Sequence, residues 1–211
     1  MRSELVFDDG GMNLLSSAAL RRIGDALPRG HDTSLFVFRS GRPGLFAAGA
    51  DMAEMQRFSP WDAYEFARLG QELFAAIETL PCLTVAVIDG DCFGGALDLV
   101  LSFDLRFATP RSRFAHPGAR LGIVTGFGGT SRWRGVLTRR AANQLFLANR
   151  VLSASEALEL ELVDRVADDH AEELARLETL DLRLAKQLSV RAERLTREEL
   201  LLLATRHRKT T

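Results

Sequence analysis

Cysteine is nearly absent: Cys82 and Cys92 are the only two in 211 residues. This excludes a disulfide framework and a metal site built on thiolates. An excess of either charge is missing too, with 27 Lys and Arg against 28 Asp and Glu and a formal net charge of −1. The electrostatic footprint of a nucleic-acid binder is therefore lacking. No apolar run approaches the roughly 20 residues a membrane span needs. Met1-Arg2-Ser3-Glu4-Leu5 does not open an apolar signal-type segment. The expectation is a cytoplasmic protein without nucleic-acid or membrane partners. Repeats, low-complexity tracts and linkers are absent as well, which at this length suits one domain with a real core.

Three catalytic signatures are also missing. Gly90-x-x-x-Gly94-Gly95 is not followed by Lys-Ser/Thr, so it is not a P-loop. The dinucleotide fingerprint Gly-x-Gly-x-x-Gly does not follow the strand before it. The nucleophile-elbow pattern Gly-x-Ser-x-Gly is absent, and no Ser-His-Asp arrangement stands out.

What is present centres on Asp89 to Asp104. The apolar run Thr84-Val-Ala-Val-Ile88 reads as a buried strand and leads through Gly94-Gly95 into an apolar helical pattern. A helix start exposes backbone N–H groups without intrahelical partners, and a residue without a side chain lets a ligand atom approach them. Two readings stand at this point, tight packing at a helix start and an anion or oxyanion site.

Around this centre, Leu5–Phe7 and Leu35–Phe38 read as strands, and Ser16 as the N-cap of a helix reaching about Leu27. Phe46-Ala-Ala-Gly-Ala-Asp51 is a small-residue loop before a helix start at Asp51–Met55. Ser59-Pro60 opens the clearest helix, with Phe66, Leu69, Leu73, Phe74, Ile77 and Leu80 on its buried stripe. Short strands follow at Leu105–Ala108 and Arg113–Ala115, then a glycine-rich loop over Gly122–Gly129. Arg139–Ala148 is helical, Ser153-x-x-Glu156 is a capping box for a helix over Ala154–Leu160, and Leu162–Val166 is a strand. From His170 onward the pattern is helical, charged and leucine-rich. Alternating short strands and helices give an α/β fold class.

The order and spacing of Phe46–Asp51, Asp89–Leu99, Asp104–Ala108, Leu121–Thr130 and Ser153–Val166 resemble the crotonase, or enoyl-CoA hydratase/isomerase, superfamily. The resemblance runs colinearly over about Leu35 to Val166. It implies a crotonase-like (ClpP/crotonase) spiral of strand–strand–helix repeats over residues 1–167, with a C-terminal helical region over 168–211. It further implies an acyl-CoA thioester as substrate, coenzyme A being part of that substrate with no separate cofactor and no metal, and a homo-oligomer, trimer or hexamer. By position, the backbone N–H groups of Ala50 and Gly95 form an oxyanion hole that stabilises an enolate. Ala48, Gly49, Asp51, Gly94, Gly118 and Thr125 are expected to contact substrate.

The chain departs from the family where typical hydratases carry two glutamates that share water activation and proton delivery. Asp98 occupies the first position and Gly118 the second. Asp98 is the candidate proton carrier, or else a cap or the partner of a nearby arginine. His116, two residues before Gly118, shares its face on an extended segment and is the second catalytic candidate. A hydrogen-bonded structural histidine is the alternative. Cys92 reads as buried filler, Asp104 as structural, and Thr125 and Ser131 as hydrogen-bond partners. Arg57 and the basic Arg206–Lys209 tail are solvated or meet CoA phosphates. Both ends are short against the family, with the usual strand pair before the first helix expected to be curtailed. Paired-glutamate hydration is thus doubtful, and isomerisation, decarboxylation or C–C cleavage is expected. A weak or inactive acyl-CoA-binding subunit that assists a partner enzyme is the alternative.

Overall fold

The computed structural model describes residues 1–30, 32–180 and Lys186. Five parallel strands make the main sheet in the order β1 (Arg2–Phe7), β3 (Leu35–Ser40), β6 (Leu83–Ile88), β8 (Leu105–Ala108) and β11 (Arg165–Val166). A second sheet orders β10 (Leu152–Ser153), β9 (Arg113–Ala115), β7 (Asp91–Phe93) and β4 (Leu45–Ala47), with only β10 antiparallel. A third pairs β2 (Leu14–Leu15) with β5 (Gly49–Ala50).

The chain winds as a spiral. Each turn lays one strand in the main sheet, one in a smaller sheet, and then a helix: α1 (Ser17–Asp25), α2 and α3 (Met52–Met55, Pro60–Glu78), then α4 (Gly95–Val100). Parallel neighbours need such crossovers, because a tight hairpin can join only antiparallel strands. β3 shows why its sequence is apolar without alternation. Phe36 and Phe38 enter the central core, while Leu35 and Val37 face a second cluster with Val85, Phe107, Leu174 and Leu177. A strand covered on both faces reads as a continuous apolar run. Leu174 and Leu177 belong to α8 (Ala171–Glu178), so the described part of the C-terminal region packs on the same sheet as the rest.

Polar side chains tie successive turns together. Buried Asn13, at φ 51°, donates through Nδ2 to Phe7 O, Ser40 Oγ and Phe46 O. Asp89 accepts from Gly44 N at 3.3 Å, Thr109 Oγ1 at 2.8 Å and Arg111 Nε at 2.6 Å. Asp104 accepts from Thr84 N at 2.7 Å and Oγ1 at 2.9 Å and lies 2.8 Å from Lys186 Nζ, a structural role as expected.

Most expected elements are present, with Ser16 capping α1 and a Ser59/Asp62 capping box opening α3. Several boundaries differ. The Asp89–Gly95 stretch is not all turn: Asp91–Phe93 forms β7 through ladders to β4 and β9 on either side. Gly129–Val136 is a helix, α5, where the glycines suggest loop only, and Pro117–Leu121 is a 3-10 helix. The Arg139–Ala148 helix divides into α6 (Arg139–Ala142) and a π-helical turn (Asn143–Leu147). Two strands, β1 and β2, precede α1, and β11 covers only the end of the expected Leu162–Val166 strand. The helix over Ala154–Leu160 is α7 (Ala154–Glu159). Beyond Leu180 the expected helical pattern and the basic tail lie outside the described residues, Lys186 excepted. Among the described residues no helix is long and apolar enough to cross a membrane.

Candidate active site

Two turns of the spiral meet at one cavity of about 270 Å³. On the first turn the chain leaves β4 through Ala48 and enters Gly49, at φ +104°. A side chain there would place its Cβ 2.7 Å from Phe93 O and 3.2 Å from Gly95 N, so only glycine fits. Ala50 follows, and Asp51 begins α2. On the second turn β7 ends at Phe93, and Gly94 adopts φ 55°, ψ −123°, a conformation essentially reserved to glycine. Gly95 is then the first residue of α4, where the backbone N–H has no intrahelical acceptor. A Cβ at Gly95 would lie 3.3 Å from Ala50 N. The amide nitrogens of residues 50 and 95 are therefore neighbours at the cavity wall, brought together because β4 and β7 pair in parallel.

Ala48, Gly49, Gly94, Gly118 and Thr125 all line this cavity, as the sequence suggests. Asp51 does not. Its carboxylate caps α2, accepting from Glu54 N at 3.0 Å, which is the ordinary use of an aspartate at that position. The rest of the wall is mostly apolar, with Met55, Phe58, Phe66, Ile123 and Phe127 prominent.

Of the two catalytic candidates, His116 lines the cavity and Asp98 does not. Asp98 is wholly buried. Its Oδ2 accepts from Thr125 Oγ1, and its Oδ1 lies 3.3 Å from His116 Nε2. Neither Asp98 Oδ1 nor His116 Nε2 has a partner in hydrogen-bonding geometry, so the two buried atoms are near each other without being bonded. The carboxylate also abuts Gly129, where an added Cβ would overlap Asp98 Oδ1. In this structure the carboxylate proposed as proton carrier is enclosed and does not line the cavity. It faces His116 and Thr125 instead.

Gly118 explains its own identity. A Cβ there would come within 2.7 Å of Ile123 O and within 3.2 and 3.3 Å of His116 Cε1 and Nδ1. The Ile123 carbonyl crowds the place where a side chain would start, and the imidazole stands in tight contact with it. The ring of Phe146 lies 4.7 Å from the imidazole, centroid to centroid.

The remaining candidates have structural partners or positions. Burial, and then the nearby Asp98 and Asp91 carboxylates, push the Cys92 thiol up, so it stays a protonated core residue. Asp91 pairs with Arg113 at 2.7 Å, and Ser131 donates to Gly128 O at 2.8 Å. Arg57 is exposed just past α2. Among the described residues no cluster of three or more His, Cys, Asp or Glu side chains could hold a metal ion.

Sequence reasoning misses the part played by Phe127. Its ring packs 5.0 Å from Phe66 and 5.6 Å from Phe74, and forms part of the cavity wall. Room for it comes from Gly70, where any Cβ would overlap the ring, and from Gly95, where a Cβ would come within 2.9 Å. Gly70 is the available signal, since a glycine on the buried stripe of a long helix marks a close approach.

With this geometry in place, known proteins can be set beside the chain. Residues 7–198 match the sequence pattern of the enoyl-CoA hydratase/isomerase family. The chain is 35% identical over 158 residues to a crotonyl-CoA hydratase of Syntrophomonas wolfei, covering 74% of this chain and 61% of that protein. It is 35% identical over 123 residues to a short-chain-enoyl-CoA hydratase of Clostridium acetobutylicum, covering 58% of this chain and 47% of the relative. It thus spans less than two thirds of the curated relatives it matches. An enoyl-CoA hydratase structure from Thermoplasma volcanium superposes with TM-score 0.84 at 25% identity, over 96% of this chain and 85% of that one. A family protein from Silicibacter pomeroyi gives TM-score 0.85 at 24% identity, over 97% and 91%, a likeness of fold. The fold is the crotonase-like spiral of those structures, and the chain belongs to the enoyl-CoA hydratase/isomerase family.

Proposed function

We propose that the protein acts on an acyl-CoA thioester, whose carbonyl oxygen accepts from the backbone N–H groups of Ala50 and Gly95. The observation that carries this is the adjacency of those two nitrogens at an apolar cavity, on glycine-only backbone at Gly49 and Gly94. Abstracting a proton beside a thioester carbonyl moves negative charge onto that oxygen, and fixed donors stabilise it as it develops. Deleting one such donor typically costs about 2.7–4 kcal/mol of transition-state stabilisation. The mainly apolar wall suits an aliphatic acyl group.

The relatives are named as hydratases, but this chain supports a different reaction within the family. Hydration by the paired-carboxylate route needs one group to activate water and another to deliver a proton. Here Gly118 carries neither, and Asp98 is closed off from the cavity. Isomerisation of a double bond returns the abstracted proton to a second carbon, and one proton carrier is enough. A decarboxylation asks still less. The empty second acid position also favours another reading, an acyl-CoA-binding subunit of little activity that assists a partner enzyme. Assembly as a trimer or hexamer of this chain belongs to the main reading.

Calorimetric titration with crotonyl-CoA, followed by assays of crotonyl-CoA hydration and of 3-butenoyl-CoA isomerisation, tests the proposal. Binding, with isomerisation well ahead of hydration, is expected. Absence of binding refutes the acyl-CoA assignment. Hydration ahead of isomerisation refutes the choice of reaction, and binding with neither activity favours the assisting subunit.

A further inference from the structure

Resting on the acyl-CoA reading, we infer that His116 is the proton-transfer residue, acting through Nδ1, and that Asp98 positions it from behind. The two nitrogens of the ring lie in different surroundings. Nε2 is 3.3 Å from Asp98 Oδ1, and both atoms are buried with no hydrogen-bond partner, each facing the other. No other acceptor competes for a proton on Nε2. Nδ1 lies on the Gly118 side, 3.3 Å from where a Cβ would stand, and Gly118 itself lines the cavity. Phe146 packs against the ring at a 46° tilt, and Thr125 donates to the carboxylate. With Nε2 turned toward Asp98, Nδ1 is the ring nitrogen left to exchange a proton with a molecule in the cavity that His116 lines.

The step balances without an outside reagent. The Cα–H bond of the acyl group breaks, and its electron pair forms the enolate C=C. The charge moves onto the thioester oxygen at Ala50 and Gly95, and the proton goes to Nδ1. The resulting imidazolium faces the Asp98 carboxylate. Returning the proton from Nδ1 to Cγ of a dienolate completes an isomerisation, and returning it to Cα completes an exchange. A buried carboxylate that holds an imidazole in one tautomer and stabilises its charged form is a known arrangement in acyl-transfer enzymes. Gly118, on this account, is the residue that makes room for a histidine acid/base in place of the second glutamate.

The test is deuterium incorporation at Cα of butyryl-CoA in D₂O, read by NMR beside calorimetric binding of the same ester. Butyryl-CoA has no double bond to hydrate or shift, so exchange reports proton transfer alone. Wild type is expected to exchange, and His116→Gln to bind the ester while exchange falls roughly 10²–10⁴-fold. His116→Ala should regain exchange on addition of imidazole, which a structural role for the ring would not produce. Asp98→Asn should lower kcat for 3-butenoyl-CoA isomerisation by roughly 10²-fold or more with KM within about twofold. Should His116→Gln unfold, the imidazole-rescued His116→Ala decides alone. Exchange undiminished in both histidine variants, or an ester that wild type binds but never exchanges, overturns the inference and leaves acyl-CoA binding standing. Failure of wild type to bind butyryl-CoA refutes the acyl-CoA reading itself.

Discussion

Placing a glutamate at position 118, where the family resemblance expects one, should not produce a hydratase. In Gly118→Glu the new Cβ would stand 2.7 Å from Ile123 O, a backbone atom that cannot swing aside, and 3.2 Å from His116 Cε1. The glycine is not at positive φ, so the cost is one of space rather than backbone conformation. Relief requires Ile123 to retreat, which strains the bond its N–H makes to Gly118 O at 2.9 Å. Forcing a group into a filled site costs about 1–3 kcal/mol, and losing one hydrogen bond adds about 1 kcal/mol. A total of about 2–4 kcal/mol, at roughly 2–4 °C per kcal/mol for a chain of this size, lowers Tm by about 4–16 °C. Crotonyl-CoA hydration should not rise, because the carboxylate either displaces His116 or points away from it. Calorimetry and a hydration assay on the same preparation check both halves. A Gly118→Glu protein as stable as wild type that hydrates crotonyl-CoA faster would show that the site keeps space for a second carboxylate. The steric argument would then fail.

Two further outcomes follow from other positions. Gly90 is at φ +89°, and a Cβ would overlap the backbone of Gly44, so Gly90→Ala should lose well over about 4 kcal/mol. Soluble protein with a Tm within about 2 °C of wild type would contradict this. Burial is the main reason that His170 titrates below its ordinary value of 6.5; its bond to the Ala108 carbonyl opposes the shift without cancelling it. Because a carbonyl only accepts, Nε2 carries the proton of the 3.0 Å bond to Ala108 O, and Nδ1 is buried without a hydrogen-bond partner. Above pH 6.5 both folded and unfolded forms are neutral and the contribution is whole. As pH falls below 6.5 the unfolded chain takes up a proton first, so stability declines until the folded pKa is reached. Urea unfolding between pH 7.5 and 5 should show this slope, at most about 1.4 kcal/mol per pH unit, in wild type and not in His170→Gln. Equal slopes in the two proteins would refute it.

What could be read from the sequence was whatever depends on near neighbours along the chain. Ser59, Pro60 and Asp62 open α3 by their own side chains, and the stripe from Phe66 to Ile77 follows from helical spacing. The pairing of Ala50 with Gly95 was legible only through resemblance, because 45 residues of chain separate two amides that a β4–β7 ladder joins. β7 was illegible for the same reason. Three residues, Asp-Cys-Phe, carry too little alternation to declare a strand, and their extended form is imposed by ladders on both sides.

Asp98 shows where positional correspondence and chemistry part. The resemblance gives it the place of a catalytic glutamate, yet an aspartate's carboxylate is one methylene nearer its own backbone. What closes it off is Thr125, Gly129 and His116, contributed by later segments that no local pattern links to it. Gly118 likewise reads as a loss when seen alone. Set in space it leaves room, since a side chain there would press on the Ile123 carbonyl and stand tight against the His116 ring. A buried carboxylate, an imidazole at the cavity wall and a glycine beside it fit one another in space. The close fit of Gly129 against Asp98 Oδ1, with the Thr125 hydroxyl and the His116 imidazole around the same carboxylate, is the packing that the proposed proton-transfer role of His116 relies on.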